Sequence, residues 1–292
     1  MYKIGVIGTR GGWSSERLAQ ALEERTGFNL LVDMDHMSFD LHRGRVWYGD
    51  TELDRLDGLV VKKVGAKYSP DLLDRLELLT YLGAKGVPIF SQPEHIMRVL
   101  NRLSCTLTLR KAGIPMPPTT ITENVEVARK TVEEYGEAVF KPLFTSKARG
   151  MCLIRPGPDA ADKIADYHAE NRIMYIQQRI ELNGCDLGIT YLGGEYLATY
   201  ARCNRGSWKT TTANGGRYAR YTPQQESIEV ATQAQALFGL DFTSVDVAET
   251  ASGPMVFEVS AFGGFRGVLE AWNVDAAGLY ADYVLGKMQH GH

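Results

Sequence analysis

Residues 244–267 read SVDVAETASGPMVFEVSAFGGFRG. The stretch predicts two β-strands joined by a tight turn, with Ala251-Ser252-Gly253-Pro254 folding them antiparallel. Asp246 lies on the first strand and Glu258 on the second, set among Val245, Val247, Val256, Phe257 and Val259. Two carboxylates on adjacent buried strands repel unless a proton or a cation sits between them. The simplest cation is Mg²⁺, which takes one or two protein carboxylates plus oxygens of a substrate phosphate. A metal-nucleotide site is therefore expected here, with phosphate and base contacts supplied by the rest of the chain.

The chain has 292 residues, enough for two or three lobes and a sizeable core. Hydrophobic residues at 44% and charged residues at 23% are ordinary for a soluble globular protein. A net charge of -3 gives no reason to expect nucleic acid or a membrane surface as partner. Cys105, Cys152, Cys185 and Cys203 show no CxxC spacing, so reduced thiols in a cytoplasmic protein are expected rather than a disulfide or zinc framework. Residues 2–8 read as a first strand rather than the apolar core of a secretion signal, and no apolar run reaches the ~20 residues of a membrane span.

In chain order, strand 3–8 and the turn Gly8–Gly12 lead to a helix capped by Ser14 or Ser15 and carrying Leu18, Ala19 and Leu22 on one face. The glycines serve either an anion at the helix N-terminus or the turn alone. Strands follow near 28–32 and at Gly58–Val61, the latter ending in Lys62-Lys63-Val64-Gly65-Ala66-Lys67. On charge alone these lysines read as a solvated cluster, but the C-terminal end of a sheet strand is also where open α/β sheets bind ligands. Ser69-Pro70 opens a helix and Val87–Phe90 is the next strand. One helix is expected over 96–112, then a helix over 126–135 and a strand 138–143. The basic loop 144–150 follows, then strand 151–154 and helix 158–170. Strand 174–180 forms a hinge; 186–192 and 195–202 form a hairpin; 207–217 is a polar loop. Helix 223–238, the two carboxylate strands, a loop 262–267 and a helix 274–288 complete the chain, with Gln289–His292 expected to fray.

This order of pieces resembles the ATP-grasp superfamily, and its RimK-like carboxylate–amine ligases in particular. The resemblance rests on Lys63-Val64-Gly65-Ala66-Lys67, Asn101-Arg102, Gly113-Ile114-Pro115-Met116-Pro117, Val139-Phe140-Lys141-Pro142, Ile176-Gln177-Gln178-Arg179-Ile180 before Gly184-Cys185-Asp186, Trp208-Lys209-Thr210-Thr211, Val245-Asp246-Val247 and Glu258-Val259-Ser260. It implies a mixed α/β and α+β fold. An N-terminal α/β lobe (1–93) would precede a central lid lobe (94–175) and a C-terminal lobe (176–292) that clamp ATP between antiparallel sheets.

The resemblance also implies roles. Lys141 and Arg102 hold nucleotide phosphates, and Lys147 covers them. Gln177, Gln178, Arg179 and Ile180 meet the adenine edge. Asp186 binds the ribose, with Thr211 also in the nucleotide set. Lys209 stabilises the transferring phosphoryl group. Asp246 and Glu258, with Ser260, hold Mg²⁺ or Mn²⁺. Arg10, Lys62, Lys63 and Lys67 are candidates for the acid substrate. Arg202 and Arg266 read equally as surface residues or as arginine forks on a substrate carboxylate. Ser260 stands where such enzymes carry a metal-binding Asn, Gln178 where the hinge has Glu, and Gly188 where a substrate-side Arg is usual. The lid has one glycine, Gly150, which implies a stiffer loop.

The activity implied is ATP- and Mg²⁺-dependent joining of a carboxylate to an amine through an acylphosphate, with ADP and phosphate released. Small acids and amines or a peptide acceptor would be the partners, and copies of the chain itself would suit a homo-oligomer. A small-molecule kinase and a nucleotide-binding module without turnover are the alternatives.

Overall fold

The computed structural model describes residues 1–182, 184–204 and 206–290. The first lobe starts with β1 (Ile4–Ile7), α1 (Trp13–Thr26) and β2 (Leu31–Val32). A small antiparallel sheet follows, β3 (Met37–Asp40), β4 (Arg45–Tyr48) and β5 (Thr51–Glu52). Then come β6 (Gly58–Val61), α2 (Asp71–Ala84) and β7 (Ile89–Phe90). The parallel sheet has the order β2-β1-β6-β7. Its central strands β1 and β6 are buried along their whole length, as continuous apolar runs in a covered parallel sheet must be.

The second lobe begins with α3 (Pro93–Leu100) and α4 (Arg102–Lys111). One helix was expected here. Asn101 breaks it, because its backbone is extended and its side chain accepts from the N–H groups of Leu103 and Ser104, capping α4. Next come β8 (Thr119–Thr122), α5 (Val125–Tyr135), β9 (Ala138–Lys141), β10 (Cys152–Ile154), α6 (Ala160–Glu170) and β11 (Met174–Gln178). The strands form an antiparallel sheet β10-β9-β11-β8 with a core of its own around Phe140, Ile164, Met174 and Ile176. β11 runs past residue 175, so the lobe division proposed from the sequence has its second boundary inside a strand.

The third lobe is a five-stranded antiparallel sheet, β14-β13-β12-β15-β16. It is built from β12 (Cys185–Leu192), β13 (Glu195–Cys203), β14 (Arg217–Arg220), β15 (Phe242–Thr250) and β16 (Gly253–Ser260), with α7 (Gln225–Ala236) between β14 and β15. Two helices close the chain, α8 (Phe265–Trp272) and α9 (Ala276–His290). The expected β15–β16 hairpin is present, and Gly253 turns it with φ 102°, a conformation that favours glycine. Alternation decides the two faces. Leu187, Ile189, Val245, Val247 and Val259 point into the core, while Gly188, Asp246, Glu258 and Ser260 occupy the other face.

Three local expectations needed correction. Residues 33–57, to which no element was assigned, hold the β3–β5 sheet. The loop expected over 262–267 becomes α8 at Phe265, where the Trp272 indole N–H on the same helix anchors to Thr199 O at 2.6 Å. Of the expected frayed tail, Gln289 and His290 belong to α9, and residues 291 and 292 lie outside the described residues.

The first lobe is tied to the last through Lys62, just after β6. Its ammonium is buried, donates to Phe262 O and Gly263 O at 3.2 Å each, and lies 3.6 Å from the centroid of the Phe265 ring. Burial, with Lys63 beside it, brings its pKa down from 10.5 to about 7. The unfolded chain therefore binds this proton more tightly than the folded one between those values, and the contribution of Lys62 to stability is lost as pH falls through that window. The melting temperature of Lys62→Met relative to the parent protein should rise as pH is lowered from 10 to 7. Thermal unfolding followed by circular dichroism across this range checks it; a constant difference would exclude a depressed pKa.

Candidate functional site

A cavity of about 780 Å³ opens between the lid sheet and the five-stranded sheet, with lining residues from all three lobes. That is within the ~300–1,000 Å³ range of small-molecule sites. The strand register builds its floor. Tyr200 on β13 faces Gly188 on β12, Gly188 faces Asp246 on β15, and Asp246 faces Glu258 on β16. One step along, Ser244 faces Ser260. A bulge follows the Asp246–Glu258 pair, and Phe257 there lines the cavity as well.

Two arginines hold the acids of this floor. Arg202 pairs with Asp186, and lies 2.9 Å from Asp246. Arg102, placed at the start of α4 by the Asn101 cap, donates to Glu258 at 2.8 Å and to Pro142 O at 3.1 Å. Burial raises the pKa of Asp246; Arg202 opposes this, and Glu258 and Asp186 add to it. The residues here that could hold a cation are the two carboxylates on one rung and the Ser260 hydroxyl on the next. This fits Mg²⁺, which needs only one or two protein carboxylates when water and phosphate oxygens complete its shell. Among the described residues, no group of three or more His, Cys, Asp and Glu is arranged to hold a metal.

The opposite wall is basic. Lys141 on β9 is buried, donates to Gln177 Oε1 at 2.5 Å and lies 5.1 Å from the Phe257 ring centroid. Burial, then the charge of Arg102, brings its pKa down to about 7. In the lid, Lys147 and Ala148 adopt φ 59° and 55°, the left-handed region that residues other than glycine seldom enter. Lys209 Nζ donates to Met151 O at 3.0 Å and so ties the 206–212 loop to the lid. At the hinge, Gln178 N donates to Pro118 O and Arg179 N to Glu137 O, both at 2.9 Å. Gln178, Arg179 and Ile180 line the cavity beyond.

The model of the RimK-like ATP-grasp domain matches residues 99–284, which span most of the second and third lobes. The chain belongs to the RimK-like ATP-grasp family. Among curated relatives, a tetrahydromethanopterin:alpha-L-glutamate ligase of Methanosarcina acetivorans is 27% identical over 99% of both chains. A ribosomal protein bS6–L-glutamate ligase of Salmonella paratyphi B is 26% identical over 97% of this chain and 95% of its own. The fold is shared with the ATP-grasp ligase PsnB complexed with a precursor variant, Mg and ADP (TM-score 0.74, 17% identity, 98% of both chains). It is shared also with the D-cycloserine synthetase DcsG (TM-score 0.75, 15% identity, 98% of this chain and 99% of that one).

In this ATP-grasp chain one cavity gathers most of the residues singled out from sequence. Arg102, Lys141, Lys147, Gln177, Gln178, Arg179, Ile180, Asp186, Arg202, Lys209, Thr211, Asp246, Glu258, Ser260 and Lys63 all line it. Four candidates lie elsewhere. Lys62 is buried behind Phe262 and Gly263. Arg10 donates to the Tyr48 hydroxyl at 2.8 Å. Arg266 is exposed, over the Trp13 ring at 5.1 Å. Lys67 is exposed outside the lining. Tyr68, Tyr200, Tyr218 and Ser244 line the cavity and were not anticipated. For Tyr200 a signal existed in Gly188 and Gly267, two glycines that leave room for its ring.

The cysteine reading is corrected. Cys185 and Cys203 are 18 residues apart, but the β12–β13 register sets them face to face with Cα atoms 4.1 Å apart, and they form a disulfide. Cys105 and Cys152 are free. Spacing along the chain does not show cross-strand partners. Alkylation with iodoacetamide in denaturant should label two cysteines before reduction and four after, read by intact mass. Four labels before reduction would remove the cross-link.

Proposed function

We propose that the protein is an ATP- and Mg²⁺-dependent carboxylate–amine ligase acting through an acylphosphate, with ADP and phosphate released. The observation that carries this reading is the Asp246–Glu258 rung facing Lys141 across a cavity in a RimK-like ATP-grasp chain. Mg²⁺ bound at Asp246, Glu258 and Ser260 would neutralise phosphate charge. Lys141 and Arg102 would hold the nucleotide phosphates, Lys147 would cover them, and Gln177–Ile180 would border the adenine. Asp186 and Thr211 would serve the ribose side. Arg102 would exchange Glu258 for phosphate oxygens, a move its fork suits. Lys209 would leave Met151 O for the transferring phosphoryl group. Catalysis of this kind is mostly positioning and electrostatic stabilisation. Lys63, the one of the proposed substrate lysines that lines the cavity, would hold the acid. Glutamate and peptide-like molecules, named for the relatives, are the first acceptors to test.

A second reading, nucleotide binding without turnover, draws on the arginines that already occupy the floor carboxylates. The products separate the readings. ADP with free phosphate indicates ligation, ADP with a phosphorylated acceptor a kinase, and retained ATP a binding module.

Two variants test the assignment. Asp246→Asn with Glu258→Gln should abolish Mg²⁺-dependent ATP turnover and leave the circular dichroism spectrum native; unchanged turnover would sink the metal assignment. Lys141→Met removes one charge-assisted bond to phosphate, worth about 1.5–3 kcal/mol, so the Kd for ATP should weaken by roughly 10- to 150-fold in calorimetry.

A further inference from the structure

Lys62 is a buried ammonium for which joining two lobes is no sufficient reason. Its backbone N–H donates to Ile7 O at 2.9 Å, which pins it to the end of β6 beside β1. Nζ lies under the loop between β16 and α8, 3.6 Å from the Phe265 ring centroid and 5.2 Å from that of Phe242. The charged group acting on it is another cation, Lys63, and among the described residues no carboxylate pairs with it. α8 begins at Phe265, so the ammonium also stands at the positive end of a helix dipole, where a cation is disfavoured. An apolar side chain of similar volume would join the lobes without these costs.

The ammonium acts on Phe262. Nζ donates to Phe262 O and to Gly263 O at 3.2 Å each, and both residues line the cavity. The other backbone polar group of Phe262, its N–H, donates to Ser260 Oγ at 3.4 Å. Ser260 O in turn accepts from Thr243 Oγ1 at 2.9 Å. A hydroxyl has two lone pairs and one proton. With Phe262 N–H on one lone pair, Ser260 keeps the second lone pair and its proton for the cavity. A serine side chain is short, so its reach depends on where this loop is held.

We propose that Lys62 is a positioning residue. By holding the Phe262 carbonyl it fixes the Ser260 hydroxyl for the cation assigned to the Asp246–Glu258 rung, so the first lobe completes a site made by the third. The inference rests on the cation assignment of the ligase reading, and it adds to that site a residue outside the cavity lining.

Calorimetry with a non-hydrolysable ATP analogue, with and without Mg²⁺, tests this without turnover. The quantity read is the factor by which Mg²⁺ tightens analogue binding. Groups that orient a metal ligand typically contribute about 10- to 100-fold in metal affinity, so Lys62→Met should lower that factor about tenfold and leave binding without Mg²⁺ unchanged. Ser260→Ala should lower it as well, and the double variant should fall no further than Ser260→Ala alone. A purely structural role would weaken binding equally with and without Mg²⁺. If Lys62→Met does not fold, Lys62→Gln, neutral and one bond shorter, takes its place in the same cycle. An unchanged factor, a loss independent of Mg²⁺, or losses that multiply in the double variant overturns the role of Lys62 and leaves the cation site intact. Binding by the parent protein that ignores Mg²⁺ removes the cation site and the role of Lys62 together. A coupled loss without ADP release from any acid–amine pair leaves the role of Lys62 standing and removes the ligase reading.

Discussion

Three carboxylates, Asp186, Asp246 and Glu258, meet in one cavity, and Arg202 and Arg102 hold them there. Taking a charge out of water costs several kcal/mol unless a partner compensates it. Much of the third lobe is arranged to supply that compensation. The register of β12, β15 and β16 puts the acids on one face and the valines on the other, and a slip of one residue would send the acids into the core. Arg202 reaches across β12 from β13. Arg102 comes from the second lobe, aimed by the helix break at Asn101, so the Glu258 pair also joins two lobes.

On the ligase reading proposed above, these pairs would stand in for other partners. A divalent cation on the floor would free the arginines, and nucleotide phosphates would take them up, so total charge compensation changes little while its arrangement changes completely. The lid shows the same logic. Lys209 holds a backbone carbonyl of Met151, a neutral partner that an anion can displace. A site built of exchangeable ion pairs stays folded when empty without forming a site so well satisfied that it repels its ligand.

The parts visible in the sequence were those written in local pattern. Acids at Asp246 and Glu258 flanking a turn, lysine on the apolar strand at Lys141, and the hinge from Gln177 to Ile180 each announce themselves within a few residues. Their convergence on one cavity follows from the order of the pieces. The parts that stayed hidden depend on neighbours distant in sequence. Lys62 and Lys63 are adjacent, yet successive side chains diverge, so one is sealed under the Phe262–Gly263 carbonyls and the other reaches the cavity. Cys185 and Cys203 become partners only through hairpin register. Asn101 was read as one residue of a motif inside a continuous helix, and the structure makes it the cap of α4.

Glycine is the residue whose meaning changes most once the fold is known. At Gly253 the backbone itself requires it, and a turn signal in the sequence is enough to say so. At Gly188 and Gly267 the backbone is ordinary, and the requirement comes from the volume of Tyr200, a side chain 12 residues from one and 67 from the other. A glycine in mid-strand loses cross-strand packing and adds entropy to the unfolded chain, so its presence without a backbone reason points to a close approach by something else. Here the approaching group is an aromatic ring, and it occupies the rung beside Asp246. What reads along the chain as an unexplained small residue at position 188 is, in the folded protein, the space that a neutral aromatic ring needs next to Asp246 on the cavity floor.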